Sequence, residues 1–294
     1  MTKASTHTCV SCGAKYQGNF CPECGERRIT GADRTVLAFL RRAFEEVTDV
    51  DSRLFRTFKK LVFRPGALTL AFAEGRRKPF LGPVQLFLLA NLAYFLIQPL
   101  SGYSGYNTPL ESQLAEQVYS PQLPIADWVA RATSRSGLDA DTFEVVYNNQ
   151  SELLARSLIV VMVPMLALWL AVIAFGRRKP FVDHVVFAQH FYAFDLIVLH
   201  CLALMVWPHI IIAAASVVQA IAGTPIWLNP AANFLVEVGA SLLITVPYLF
   251  FAYRRFYGMG TLIAMTFAIV SLFALQLTTV TYRLLLLLVS LATV

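Results

Sequence analysis

Four of the five cysteines in the 294-residue chain fall in one short stretch near the N-terminus. They form two Cys-x-x-Cys pairs, Cys9 with Cys12 and Cys21 with Cys24, and eight residues separate the pairs. A glycine follows the second cysteine of each pair and permits a tight turn that points backbone N–H groups at sulfur. Four convergent thiolates suit tetrahedral zinc, and cytosolic thiols stay reduced. The spacing predicts a zinc ribbon over residues 1–30, with iron as the less favoured metal.

The predicted metal is structural rather than catalytic. Four protein ligands leave no open coordination position at which a substrate or water could react. A ribbon this small has no hydrophobic core of its own, so metal binding would supply its folding free energy.

Two identical hexapeptides, Gly-Arg-Arg-Lys-Pro-Phe, occur at residues 75–80 and 176–181, and each precedes a long apolar run. Three adjacent cations cannot lie in hydrocarbon, so we expect each copy to hold its segment at a membrane face. A further basic pair ends a later apolar run. The residues predicted to contact lipid headgroups are Arg76, Arg77, Lys78, Arg177, Arg178, Lys179, Arg254 and Arg255.

The composition indicates a membrane protein. Hydrophobic residues make up 57% of the chain and charged residues 14%, whereas a soluble domain carries roughly 25% charge. After residue 80 the apolar runs reach the ~20 residues needed to cross a bilayer. The fold class predicted is therefore an all-α polytopic membrane protein with a small N-terminal zinc ribbon. Its transmembrane domain, residues 81–294, is expected to hold about five spans, at 83–100, 154–175, 181–206, 233–252 and 260–281.

The charges predict how these spans are oriented. No secretory signal is seen at the N-terminus, so we expect it in the cytoplasm. Five spans then place all three basic boundaries inside, and residues 101–152, with two Lys/Arg against seven Asp/Glu, outside. This outer segment is expected to be a solvated connection that includes one or two short helices. A sixth span at 209–222 would move Arg254 and Arg255 outside, against the positive-inside bias. Five spans are favoured, and six is the alternative.

Residues 31–80 link the ribbon to the spans as amphipathic helices. Residues 27–80 carry thirteen Lys/Arg against six Asp/Glu. A basic block beside an apolar span favours contact with anionic lipid over nucleic acid, which is not expected as a partner. These helices either lie in the membrane interface or pack on the protein's own cytoplasmic surface, and the pattern leaves both open.

Polar residues inside the predicted spans are the other candidate site: Asn91, His184, His190, Asp195 and Glu237. Ionisable groups cost ~3 kcal/mol each in hydrocarbon, so they tend to be paired or functional. On an ideal helix His190 points about 140° away from Asp195, and His184 lies roughly 16 Å along the axis. A shared site would therefore need a partner from another span. Interhelical hydrogen bonding that fixes the bundle is the other interpretation.

Several of these motifs together resemble a family of bacterial inner-membrane proteins catalogued only as a domain of unknown function with an N-terminal zinc ribbon. The residues that carry the resemblance are the four cysteines, Arg56-Thr57, Pro65-Gly66, the hexapeptide at 75–80, His184 to Phe187 with His190, and Arg254 to Gly258. The resemblance implies a multi-pass protein of the bacterial cytoplasmic membrane and no established activity. Two departures are Phe80 and Phe181, where tyrosine is expected in many members, and the long acidic segment.

Three functions stay open. The first is a non-enzymatic membrane protein whose zinc ribbon and basic interfacial helices dock a protein partner or anionic lipid. The second is a transporter or channel for a small solute or lipid that uses the polar residues of the third span. The third is an enzyme acting on lipid, with Asp195 or the histidines as acid and base. It is disfavoured because the chain has no nucleophile elbow, phosphate-cradling loop or His-Glu-x-x-His.

Overall fold

The computed structural model describes most of the chain in two compact units, Met1–Phe55 and Arg56–Val294. The residues described are 6–9, 12–18, 20–23, 52–101, 106–107, 109–115, 123–203, 239 and 241–294. Cys24, Glu237 and the apolar run 209–222 lie outside them, as do residues 31–51 of the predicted amphipathic helices at 31–80.

The first unit contains a small antiparallel hairpin. Strand β1 (Thr6–Thr8) pairs with strand β2 (Lys15–Gln17), with Thr6 opposite Gln17. The turn between them passes through Gly13, which has a φ of 76°. Only glycine adopts that left-handed conformation without steric cost.

The second unit is helical. Its helices are α1 (residues 56–63, the end of a helix that begins at residue 52), α2 (Ala67–Ala73), α3 (Pro83–Ser101), α4 (Leu110–Ala115), α5 (Ile125–Ser136), α6 (Ala140–Leu158), α7 (Met162–Ile173), α8 (Phe181–Phe194), α9 (Val246–Phe256) and α10 (Thr261–Thr293). A 3₁₀ turn joins α6 to α7, and π-helical segments extend α8 over Asp195–Ala203 and precede α9 over Ser241–Thr245.

Within the described residues, three helical stretches are long and apolar enough to cross a membrane: Ala140–Ile173, Phe181–Cys201 and Thr261–Thr293. They coincide with the predicted second, third and fifth spans and indicate a membrane protein. The predicted first span is a helix whose apolar part, Pro83–Gln98, is shorter than a full span. The predicted fourth span, at 233–252, is described only from its later part. The structure thus supports a helical membrane protein with three candidate spans among the described residues.

Two of the candidate spans are longer than expected. Ala140–Ile173 has 34 residues and Thr261–Thr293 has 33, which corresponds to about 50 Å of helix. The hydrocarbon core is ~30 Å thick, so each helix would project beyond it. The last helix continues through Arg283 to Thr293, beyond the predicted end of the last span near residue 281.

Small residues let the bundle helices approach closely. Helix α8 packs against both α3 and α7, and α9 packs against α10. The alanines at the centre of these contacts are fully buried: Ala90, Ala167, Ala193, Ala252 and Ala268. Because alanine has no bulk beyond Cβ, van der Waals contact extends to the backbones, as is typical of helices in membranes.

The acidic segment is more ordered than the sequence analysis expected. Helices α5 and α6 pack together and against α10. Phe143 and Tyr147 of α6 and Leu287 of α10 are almost completely buried in a core of their own. The predicted connection does contain helices, and its described residues 123–152 form a folded layer rather than a solvated one. The apolar residues of α5 and α6 lie on only one side of each helix, so the high overall charge of the segment makes this pattern hard to recognise in the sequence.

Candidate functional site

The three described cysteines of the ribbon lie together. Their sulfur atoms are all within 4.8 Å of one another, and Cys12 Sγ is 3.6 Å from Cys21 Sγ. A tetrahedral site with Zn–S bonds of about 2.3 Å has sulfur–sulfur edges of roughly 3.8 Å. A disulfide would require about 2.05 Å. The arrangement fits a metal ion, and zinc is compatible with it.

The hairpin explains why these cysteines converge. Cys9 follows β1 directly, and its N–H donates to the Ala14 carbonyl at 2.8 Å while its carbonyl accepts from Gly13 N–H at 3.0 Å. This turn folds the first pair back toward Cys21, which is 2% exposed. With Cys24 outside the described residues, the structure places three of the four predicted ligands together.

The three predicted basic boundaries meet at one end of the helical unit. The Arg255 guanidinium donates to the carbonyl of Pro65, just before α2. Arg177 donates to the Gly258 carbonyl at 3.4 Å, and the Lys179 ammonium lies 4.8 Å from the centre of the Phe256 ring. The end of α9 therefore touches the second hexapeptide copy and the turn that leads to the first.

Helix direction agrees with this arrangement. Helix α3 begins shortly after the first copy, α8 begins at the last residue of the second, and the two helices pack against each other. Helix α7 ends just before the second copy, and α9 ends directly after Arg254 and Arg255. All four helix ends lie on one side of the bundle. Of the remaining predicted headgroup residues, Arg254 lies 5.7 Å from the Phe250 ring centre and Lys78 is exposed.

The two copies adopt different backbone conformations. In the first, Gly75 has a φ of 81°, and the N–H groups of Gly75 and Arg76 donate to Phe72 and Ala71. This is a Schellman motif, which closes the C-terminus of α2. In the second copy Gly176 lies inside a 3₁₀ turn, and Arg178 takes the left-handed conformation with a φ of 50°.

A groove opens beside the first copy. Its volume is about 250 Å³, counting the space open to solvent. Apolar side chains form its walls, two arginines stand at its edge and one histidine lies in it. The lining residues are Leu68, Phe72, Arg76, Arg77, Phe80, Leu81, Gly82 and His190.

Helix α1 packs against the bundle beside this groove. Thr57 and Leu61 are buried, and the Thr57 hydroxyl accepts the N–H of Leu81 at 3.0 Å. Phe63 is 74% exposed. One side of this helix thus packs on the protein's own surface, while the other presents a large apolar ring. Contact of that ring with the membrane interface stays a prediction.

Asp195 forms a second polar cluster inside the bundle. Its carboxylate accepts a hydrogen bond from the Tyr106 hydroxyl at 2.5 Å and lies 3.3 Å from Nδ1 of His200. The Tyr94 ring contacts both Tyr106 and His200 edge-on, at centroid distances of 5.5 and 5.7 Å. Asp195 and Tyr106 are 7% and 3% exposed. The carboxylate is therefore enclosed by donors and aromatic rings.

Sequence reasoning missed Tyr106 and His200. On an α-helix a residue five positions away points about 140° aside, which would separate His200 from Asp195. The π-helix over Asp195–Ala203 has a wider turn that brings these two residues onto one face. Tyr106 belongs to the segment that was expected to be solvated, and a contact over 89 residues leaves no local sequence signal.

The other predicted polar residues have separate partners. His190 Nδ1 lies 2.9 Å from the Thr69 hydroxyl, and His184 Nδ1 lies 2.7 Å from the Tyr257 hydroxyl. Asn91 donates to the Arg156 carbonyl at 3.0 Å. The structure does not gather them with Asp195 around one site, and Glu237 lies outside the described residues.

Comparison with known proteins supports membership of an uncharacterised family and does not assign an activity. A family model described as "Protein of unknown function (DUF3667)" matches residues 51–95. That stretch runs from α1 through the first hexapeptide copy into α3, and it contains every groove-lining residue except His190. No curated protein and no solved structure matches the chain.

Proposed function

We propose that this is a non-enzymatic integral protein of the bacterial cytoplasmic membrane that docks anionic phospholipid headgroups at its basic end. That end faces the cytoplasm, and the acidic layer of α5 and α6 lies on the opposite side. The observation that carries the proposal is the meeting of three basic boundaries at one end of the bundle. Each juxtamembrane Lys or Arg contributes about 1 kcal/mol of favourable binding free energy beside an anionic leaflet.

Lipid selectivity at the protein boundary tests this proposal. The full chain is placed in nanodiscs of phosphatidylglycerol and phosphatidylcholine, and electron paramagnetic resonance of spin-labelled lipids reports which one is held at the protein surface. We expect phosphatidylglycerol to be preferred severalfold, and the preference to fall as salt screens the charges. Equal retention of the two lipids at low salt would contradict the proposal.

We further propose that the cysteine cluster holds one structural zinc ion and presents the ribbon to a protein partner. Metal analysis should find about one zinc per chain, lost in a Cys9→Ser, Cys12→Ser double variant while the helical bundle stays folded. The same variant should lose cross-linking to the partner. Unchanged cross-linking after the metal is lost would remove the ribbon from partner docking.

A second candidate function is transport of a small solute or lipid, and the cluster around Asp195 favours it. Buried carboxylates in membrane helices often mark ion or proton pathways, and π-helical segments recur at functional sites. Proton flux into proteoliposomes can be followed with an enclosed pH dye. The transport hypothesis expects Asp195→Asn to abolish the flux and Asp183→Asn, on the same helix, to retain it. No flux from the wild-type protein would remove proton-coupled transport.

A further inference from the structure

The groove beside the first hexapeptide copy is charged at its edge and apolar within. The Arg76 side chain is 63% exposed, whereas Leu68 and His190 are 5% and 4% exposed. His190 is the tenth residue of α8, about 14 Å along the helix from Phe181. The groove therefore joins an exposed, charged edge to buried side chains that include Leu68 and His190.

Positive charge is concentrated around the groove mouth. The Lys60 ammonium lies 4.3 Å from the centre of the Phe80 ring, which lines the groove. Burial lowers the pKa of Lys60, and the nearby Arg76 and Arg64 guanidinium groups lower it further. Glu74 pairs with Arg76 at the surface. These cations outnumber that carboxylate, so an anion at the mouth would relieve their mutual repulsion.

The remaining groups suit an amphiphile rather than a free ion. The walls are formed by apolar side chains, including Leu68, Phe72 and Leu81. Thr69 engages Nδ1 of His190, so any polar contact from this ring to a ligand has to come from Nε2. A ligand that fills the groove therefore needs a negative head, a short polar linker and an apolar body.

We propose that this groove is a specific site for one anionic phospholipid. Arg76 and Arg77 hold the phosphate, the glycerol and upper acyl chain lie along Leu68 and Phe72, and His190 contacts the polar linker. This inference rests on the proposed lipid docking at the basic end and goes further, because it assigns one site to one of two identical hexapeptides.

The second copy supplies the matched control. Cations of both copies contact the protein: Arg77 lies 4.2 Å from the Phe72 ring centre in the first, whereas Arg177 donates to Gly258 and Lys179 lies against Phe256 in the second. The two copies carry the same charges, so neutralising either one removes the same attraction for an anionic surface. Only the first copy lies beside the groove.

The experiment uses the full chain in phosphatidylcholine nanodiscs that contain a small fraction of phosphatidylglycerol with a photoreactive group next to the phosphate. Cross-linked peptides are identified by mass spectrometry. We expect adducts on residues 68–82 and around residue 190. An Arg76→Ala, Arg77→Ala variant should lower these adducts by about tenfold, since it removes two charge-assisted contacts. An Arg177→Ala, Arg178→Ala variant should change them by less than about twofold while it lowers boundary selectivity.

A second variant fills the groove and keeps every charge. Gly82 lines the groove, and a Cβ there would meet only the Gln85 side chain, at 3.5 Å. Gly82→Phe should abolish the adducts and leave the boundary preference for phosphatidylglycerol intact. Gly260→Phe, at the start of α10 where a Cβ would meet nothing within 4 Å, is the control for adding the same bulk.

The outcomes separate the two proposals. Equal loss of adducts in both arginine variants would overturn the groove site and leave lipid docking in place. No boundary preference for phosphatidylglycerol would overturn lipid docking itself. Full competition by inorganic phosphate would show a free-anion site and overturn the assignment to a lipid.

Discussion

Two identical hexapeptides in this chain form two different turns. In the first copy the left-handed residue is Gly75, which caps α2 through a Schellman motif. In the second copy it is Arg178, two positions later along the motif. Pro180 immediately precedes α8, whereas α3 begins at Pro83, four residues after Pro79. The six residues therefore specify a basic turn before an apolar helix, and the packed neighbours decide its shape.

The two copies also differ in the groups that their cationic side chains contact. The cations of the second copy contact α9 and the residues that follow it, while Arg76 and Arg77 of the first contact the end of the preceding helix, α2, and line a groove. A repeated motif can thus join distant segments at one place and line a surface groove at another. This favours a shared interfacial turn over a duplicated half of the protein, because an internal repeat would be expected to keep the same conformation.

The largest effect is expected at Gly66, which begins the segment carrying the first copy. Its φ is 75°, and an added Cβ would lie 2.8 Å from the Ala252 carbonyl oxygen. Gly66→Ala combines left-handed strain with a clash against backbone, so the loss in free energy of unfolding should be about 3 kcal/mol or more. Denaturant titration in detergent measures it. A loss no larger than that of Gly75→Ala would show that the contact with α9 is not essential.

The next effect is expected at the second copy, in the bond between His184 and Tyr257. Both residues are buried and their rings stack at 5.6 Å. His184→Ala should cost about 2 kcal/mol, because it leaves the Tyr257 hydroxyl without its partner and removes the stacking. Tyr257→Phe should cost about 1 kcal/mol, since it keeps the ring. Equal losses would mean that the hydrogen bond of the Tyr257 hydroxyl, rather than the stacking of the two rings, contributes most of the stabilisation from this pair.

A direct test of the comparison substitutes the first residue of each copy. Gly75→Ala should cost about 1 kcal/mol, since its φ of 81° disfavours any side chain although the space around it is open. Gly176→Ala should change stability by less than about 0.5 kcal/mol, because its backbone is right-handed and its surroundings are also open. Similar losses at both positions would contradict the assignment of different turns.

The smallest effect is expected at Arg178. Replacing it with glycine relieves the left-handed strain and should raise the free energy of unfolding by up to about 1 kcal/mol. Arg178→Ala removes the same charge and keeps the strain, so it is the control for lost electrostatics. A glycine variant no more stable than the alanine variant would mean that the backbone there is not strained.

The sequence was informative where the physics is local. Cysteine spacing predicted a cluster of sulfur atoms, of which the structure places three together. Apolar run length predicted spans at 154–175, 181–206 and 260–281, each of which overlaps one of the three candidate spans. Charge runs predicted the boundaries that meet at the basic end. Each of these follows from composition within some twenty residues.

The contacts that define the sites were not predictable in this way. The groove forms where α2 packs against α8. Thr69 of α2 is within hydrogen-bonding distance of His190 of α8, although 121 residues separate them in the sequence. The pairing of Asp195 with His200 depends on a π-helical turn, and helical periodicity assumes an α-helix. The folded acidic layer depends on Leu287, at the far end of the chain. Packing between distant segments decides all three.

Sidedness is the claim on which the proposed function rests, and cysteine labelling in intact cells tests it most directly. Cysteine replaces Lys78, Lys179 or Arg254 at the basic end, or Glu144 in the acidic layer. A maleimide that cannot cross the cytoplasmic membrane is applied to cells before or after that membrane is permeabilised. Mass spectrometry identifies each labelled peptide, so that native cysteines are scored separately. We predict that Glu144→Cys labels from outside and the three basic-end variants label only after permeabilisation. Labelling of all four from the same side would contradict the arrangement.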